Sequence, residues 1–274
     1  MIIINKRIVI IVVLLLCIIV SYFICRNYTK EQFDDIETPV YCLMVTGYDK
    51  RRRAFALNSI TNFTNQTYKN KHLVIINQDL KSRLLTKTYD NMLEVMVDNT
   101  DKTLGELRNI SLQFVPPNAV WTTWDDDDWR SGDYIKTMMS AMEEKDADFL
   151  MFTNRIEYNL NTNYMYEITL RTGLMTFFAK ANPFLVYADV STSEDKAIKD
   201  YAFQNIRDMM VIVNNDPLIY VRAIHDHNTS VYAKPDKDNV KDTSNHKNYF
   251  ERRVSSKNES YLRNILSSYY KKIV

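Results

Sequence analysis

The apolar and polar positions divide the chain into two unlike parts. Residues 8–24 form an uninterrupted run of 17 residues without a charge. As a helix, such a run reaches about 25 Å, enough for a single bilayer crossing. It ends in Ser21-Tyr22-Phe23-Ile24-Cys25, with large residues where a signal-peptide cleavage site needs small ones. The pattern therefore predicts a retained transmembrane signal anchor over 8–25, preceded by a short tail (1–7) and followed by a polar, aperiodic tether (26–38). After Pro39 the pattern changes. Short apolar runs at 40–46, 72–77, 93–97 and 119–124 read as buried strands, and helical spacing at 51–62 and 104–114 places helices between them. Ser131 is the expected N-cap of a helix lined by Ile135, Met138, Met139 and Met142. Strands at 148–153, 172–180, 209–213 and 218–224, with a helix over 193–204, complete the pattern. Beyond 235 the chain turns polar and lysine-rich, an extension (236–274) with helical spacing over 261–270. Alternating strands and helices imply right-handed βαβ units. The expected fold class is α/β, with a mostly parallel sheet and flanking helices over 39–235, preceded by one transmembrane helix.

Charge and composition narrow the classes of function. A net charge of +1 over 274 residues lacks the basic surface of a nucleic-acid binder, so no nucleic-acid partner is expected. Two of three cysteines, Cys17 and Cys25, lie in or at the edge of the apolar run, leaving Cys42 alone in the folded part. That excludes an intradomain disulfide and a cysteine-based zinc site there. Lys6 and Arg7 precede the run, while Glu31, Asp34, Asp35 and Glu37 follow it beside Arg26 and Lys30. The positive-inside tendency then predicts a single-pass membrane protein with a cytosolic N-terminus and a lumenal or extracytosolic domain (type II).

The candidate chemistry centres on Trp121-Thr-Thr-Trp-Asp-Asp-Asp-Asp-Trp129. Four adjacent carboxylates repel unless water or a cation neutralises them. Placed after a strand in an α/β protein, they would face the crevice where ligands bind. Hard cations with oxygen ligands, Mn²⁺ or Mg²⁺, suit such a site. A solvated acidic turn is the plain alternative. An EF-hand is excluded, because Trp129 occupies a position that needs an oxygen ligand. The three tryptophans suit either a core position or stacking on a sugar or base.

Five ordered motifs resemble the family 2 glycosyltransferases of the GT-A fold, over 40 to about 230. Asn65-Gln66-Thr67-Tyr68 is similar to the family's Gln-Thr-Tyr before the second strand. Asp79 then stands where the family reads the nucleotide base, although Asn77-Gln78 replaces the usual acids. Gly105-Glu-Leu-Arg108-Asn109 resembles the Gly-x-x-x-Arg-Asn helix beside the donor site. In the acidic run, the family's Asp-x-Asp implies that Asp125 contacts the ribose or nucleotide with Asp126 beside it. Asp127 then binds the cation with Asp128 assisting; the frame Asp126 and Asp128 is the alternative. Ser193-Glu194-Asp195 is similar to the Glu-Asp pair whose second acid is the general base, which implies Asp195 with Glu194 second. Helix-dipole compensation is the competing explanation of that pair. The stretch 217–230 resembles the closing strand, and implies that His225, with His227 nearby, completes the cation site or touches the diphosphate.

The resemblance implies an inverting, metal-dependent transfer from a nucleotide-sugar donor to a glycan, glycoprotein or lipid acceptor near the membrane. Two other readings stay open: a membrane-tethered nucleotide-sugar or glycan-binding protein without turnover, and a sugar-phosphate nucleotidyltransferase. The latter needs a Gly-rich phosphate loop, whereas 46–51 offers only Gly47.

Overall fold

The computed structural model describes residues 37–98, 101–174, 176–226, 228 and 249–271, together with Val20. Apart from Val20, the expected membrane span lies outside the described residues, as do the first part of the tether and His227. Among the described residues no helix is long and apolar enough to cross a membrane.

The domain is built on β1 (Val40–Thr46), with β2 (Lys71–Asn77) and β4 (Val120–Thr123) both parallel to it. β3 (Met92–Met96) extends the sheet beyond β2, again parallel. On the other side, β9 (Phe177–Lys180) runs antiparallel between β4 and β6 (Phe149–Phe152), and β10 (Met210–Val213) closes the edge parallel to β6. The order is β10-β6-β9-β4-β1-β2-β3.

Both faces of this sheet are covered, which explains its continuous apolar strands. Val40, Cys42 and Met44 of β1 point to one core, and Leu43 to the other. On the first face, α1 (Lys50–Thr64) contributes Ala56 and Phe63. α3 (Tyr134–Glu144) adds Ile135, Met138, Met139 and Met142. On the second, α2 (Leu104–Leu112) contributes Leu107, and α4 (Lys196–Asn205) contributes Ile198 and Ala202. Each fully buried aliphatic side chain is worth about 1.5–3 kcal/mol relative to exposure, so the periodic stripe of α3 fixes that helix on the sheet.

A second sheet, of which the hydrophobic pattern shows only the strand at 218–224, lies beyond the acidic loop. Its order is β12-β8-β7-β11-β5. It comprises β5 (Trp129–Arg130), β7 (Asn154–Asn159), β8 (Met165–Leu170), β11 (Tyr220–Ile224) and β12 (Tyr249–Arg253). β12 pairs antiparallel with β8, and α5 (Ser256–Tyr270) follows, burying Leu262, Leu266 and Tyr270 at every fourth position. Among the described residues beyond 235, Val254, Leu262, Leu266 and Tyr270 pack into one core with Ile156, Val221 and Ala223 of the second sheet. Their polar neighbours reflect an edge strand and a helix with one buried stripe.

Four local expectations are corrected. Ser131 is not the cap of α3: Asp133 holds that position without a capping hydrogen bond, its carboxylate accepting from Thr67 Oγ1 at 2.7 Å. The strand expected over 172–180 starts only at Phe177, and the helix expected from 193 starts at Lys196. Pro217–Ile219 forms a 3₁₀ turn, because Asp216 accepts from the Leu218 amide and caps it.

Candidate active site

A cleft of about 760 Å³ opens at the C-terminal ends of β1 and β4, where ligands bind in open α/β sheets. Asp125 to Asp128, Arg108, Glu194 and Asp195 line it together, with Arg52, Arg155 and Arg222. Residues separated by 70 positions in sequence thus face one space.

The four acids differ sharply in what holds them. Asp126 is buried between Thr46 Oγ1 and Arg52 Nη1, both at 2.7 Å. Burial pushes its carboxyl up to about 7 against the opposing charge of Arg52, with Asp127 adding to the rise. Asp127 accepts from the same Arg52 nitrogen at 3.0 Å, from His225 Nε2 at 3.0 Å and from Asn228 Nδ2 at 3.4 Å. Burial opposes its ionisation, but the His225 hydrogen bond and Arg52 outweigh it and hold the carboxyl below the usual range. Asp128 turns away, accepting from the Tyr220 hydroxyl and from the Ala223 amide at 3.0 Å. Burial first, then the charges of Asp127 and Asp125, push it up to about 7. Asp125 is the most open of the four, its side chain 41% exposed and bridged to Arg108 Nη2 at 2.8 Å.

Arg108 joins the two acidic groups. Its other nitrogen, Nη1, bridges Glu194 at 2.5 Å, and its guanidinium lies over the Tyr187 ring at 5.3 Å. Glu194 and Asp195 both have raised pKa values, chiefly through burial, with Arg108 opposing the rise. Asp195 precedes α4 without a capping bond, and no acid occupies the helix's first turn. The pair therefore does not serve as a helix cap. Its loop is pinned to α2 at Gly105, where an added Cβ would sit 1.7 Å from the Ala188 carbonyl oxygen. The Gly105 amide meets Val190 O at 3.1 Å, and the Ala188 amide meets Glu194 O at 3.0 Å.

Several expected site residues have other work. Asn109 spends its amide on the Tyr187 backbone, donating to the carbonyl and accepting from the N–H, both at 2.9 Å. It positions the loop beside Arg108 and does not line the cleft. Asp79 also lies outside the lining, accepting from the Lys81 amide at 3.0 Å, while Gln78 faces the space. Asn77 is buried on Glu94 Oε1 at 2.7 Å and the Ser82 carbonyl at 3.0 Å. All three tryptophans are core: Trp121 packs edge-on to Phe177 at 5.1 Å, and Trp124 lies under Arg130 at 4.2 Å.

The expected metal trio of Asp127, Asp128 and His225 does not converge in this structure. Among the described residues no three His, Cys, Asp or Glu side chains converge as a metal-ligand set. Asp128 accepts from β11 through both oxygens, and His225 is stacked on Phe55 at 4.8 Å while bonded to Asp127. All four acids of the run still line the cleft, but Asp125 and Asp127 are the two not bonded to Thr46 or β11, and the lining holds seven carboxylates against five cationic side chains. That excess suits a hard cation and disfavours an unaccompanied diphosphate.

Arg52 and Thr46 lie outside the sequence motifs, whereas Tyr220 and Arg222 lie within the stretch 217–230 that resembles the closing strand, with no role of their own expected there. Arg52 sits in Lys50-Arg51-Arg52-Arg53, and only the phase of α1 selects it. Asp49 sets that phase by accepting from the Arg51 and Arg52 amides at 2.9 Å.

No family model matches the chain, and no curated protein matches it in sequence. Its fold is nevertheless shared with crystal structures of S. aureus TarS 1–349. In complex with UDP the TM-score is 0.51 at 12% identity, covering 68% of this chain and 61% of that one. In complex with UDP-GlcNAc it is 0.52 at 12% identity, covering 70% and 60%. The chain thus spans about three-fifths of that fragment, and the likeness concerns the fold: the mixed α/β architecture fits the GT-A-like fold expected from the sequence.

Proposed function

We propose that the chain is a membrane-anchored, inverting, family 2-like glycosyltransferase, moving a sugar from a nucleotide-diphosphate donor to an acceptor hydroxyl. One observation carries the reading: a single cleft holds an ionised Asp127, the Asp125–Arg108–Glu194 bridge and Asp195 beside them. The shared fold with TarS, crystallised with UDP and with UDP-GlcNAc, supports a nucleotide-sugar donor.

In this reading Asp125 and Arg108 contact the nucleotide, with Gln78 rather than Asp79 facing its outer end. Asp195, once deprotonated, takes the acceptor hydroxyl's proton as that oxygen attacks the anomeric carbon. The bond to the diphosphate breaks on the opposite face, and the configuration inverts. Asp127, with Asp125 alongside, would hold Mn²⁺ or Mg²⁺, which supplies Lewis-acid neutralisation of the leaving diphosphate. Arg108 keeps Asp125 and Glu194 in register on either side. The acceptor is a glycan, glycoprotein or lipid at the membrane that residues 8–25 would cross, with the domain lumenal or extracytosolic. Alkaline extraction should leave the full chain in the membrane; its release would remove the anchor from the proposal.

The test uses the full chain in detergent with UDP- and GDP-sugars and Mn²⁺ or Mg²⁺. A donor should raise the melting temperature and release its nucleotide on transfer. Asp127→Ala should lower turnover by at least about a hundredfold, the scale of losing a group that stabilises developing charge. A melting shift without nucleotide release would instead favour a binding protein. No shift with any donor, or full turnover by Asp127→Ala, would end the proposal.

A further inference from the structure

We propose that Tyr269 and Tyr270, at the end of α5, are positioning residues that hold the backbone of the acidic loop from behind. Residues 124–128 lie between β4 and β5 with no ladder of their own, so their buried carbonyl oxygens need donors from elsewhere. The Tyr270 hydroxyl donates to the Asp127 carbonyl at 2.8 Å, and the Tyr269 hydroxyl donates to the Asp128 carbonyl at 3.2 Å. These two bonds fix successive peptide planes, and with them the directions in which the carboxylates leave the chain.

The same helix end supports Asp127 by a second route. Tyr270 meets Phe55 edge-on at 6.2 Å, Phe55 stacks on His225 at 4.8 Å, and His225 Nε2 reaches the Asp127 carboxylate at 3.0 Å. Tyr270 is fully packed in the core of the second sheet, and the Asn58 amide donates to the Tyr269 carbonyl, tying α5 to α1. Burial, with the acidic run adding to it and Arg130 opposing, pushes both phenols well above their ordinary range, so they remain protonated donors. The orientation of the loop thus depends on residues 141 and 143 positions further along the chain.

Amide hydrogen exchange on the full chain tests this without a substrate. In Tyr269→Phe/Tyr270→Phe, peptides covering 124–130 should exchange faster by about fivefold for each hydroxyl removed, the scale of one net hydrogen bond. Peptides covering β1 and β2 should not change, nor should any in Tyr261→Phe, whose ring is exposed. If Tyr270→Phe does not fold, Tyr269→Phe alone, at the half-buried position, is compared in the same way. Loop exchange within twofold of wild type overturns the inference, as does an equal rise in β1 and β2. Only the consequence for donor binding rests on the glycosyltransferase reading: the double variant should raise the donor KM about tenfold and leave the acceptor KM unchanged. If the wild-type chain binds no nucleotide sugar, that reading fails while the exchange data still decide the latch.

Discussion

The two acidic groups on either side of Arg108 are built in opposite ways. In the 125–128 run, Asp126, Asp127 and Asp128 each accept two or more hydrogen bonds, and the loop backbone is held by Ser59, Arg130, Tyr269 and Tyr270. In the Glu194–Asp195 pair, Glu194 has the Arg108 bridge and Asp195 has no capping bond. The preceding Ser193 adopts a left-handed φ of 58°, uncommon for a residue with a side chain. A group that binds charge gains from being fixed in advance, because no reorganisation is then needed during reaction. A group that accepts a proton must instead keep its oxygen clear of competing donors. The contrast supports the proposed division, with binding by the first group and proton transfer by the second.

Asp195→Asn should break that contrast most strongly. The amide cannot take the proton, so kcat should fall by about 10²–10⁴-fold, the usual contribution of a positioned base. Donor Kd, measured by calorimetry, should stay within about threefold, since no binding group is lost. An equal loss of donor affinity would place Asp195 among the binding residues and dissolve the distinction.

Gly105→Ala acts on the position of the second group without touching its chemistry. The new Cβ would overlap the Ala188 carbonyl oxygen, so the loop carrying Glu194 must shift. Overpacking of this kind costs about 1–3 kcal/mol, readable by urea denaturation. A neutral result would show that the loop is not held against α2.

Arg108→Met removes the charge shared by both groups. Arg108 lowers the raised pKa of Glu194 and of Asp195, so its loss should raise both further. The base must be deprotonated to act, so the acid limb of kcat/KM should move to higher pH. The variant should also show a fall of about tenfold near neutral pH, in line with a loss of one or two charge-assisted hydrogen bonds. An unmoved acid limb would mean that the titrating base lies elsewhere.

How far the sequence foretold this arrangement depends on burial. The strand over 40–46 has the observed bounds of β1, because a strand covered on both faces is apolar throughout. β7 and β8 escaped, since Asn154-Arg-Ile-Glu-Tyr-Asn159 buries only alternate side chains and carries charge on the others. β5 is two residues long, too short for any period. In the site, the acids were legible as a run, but their partners were not. Nothing in Lys50-Arg51-Arg52-Arg53 singles out Arg52 until α1 is phased. Asn109, Asp79 and Asp128 have side chains able to meet a ligand, yet each is taken up by backbone or by a neighbouring strand. Residue type reports what a group can do, and only packing decides which partner it meets.

The smallest effect is expected at Asp128, and it tests whether the fixed group is wholly a binding group. Its pKa is raised to about 7, above the ordinary aspartate value near 3.9. The folded state therefore holds the proton more tightly than the unfolded chain does. The stability this contributes is fully present below about pH 4 and is lost as the pH rises through 7. Asp128→Asn keeps an acceptor for the Ala223 amide and offers a donor to Tyr220, without the charge. Urea denaturation should show the variant within about 1 kcal/mol of wild type at pH 5, as expected for a hydrogen-bonded isostere, and a shallower loss of stability from pH 5 to 8. Turnover and Mn²⁺ dependence should be nearly unchanged, because Asp128 faces β11 and not the proposed cation. A collapse in metal affinity would return Asp128 to the ligand set, and would mean that the acidic loop rearranges when the cation binds.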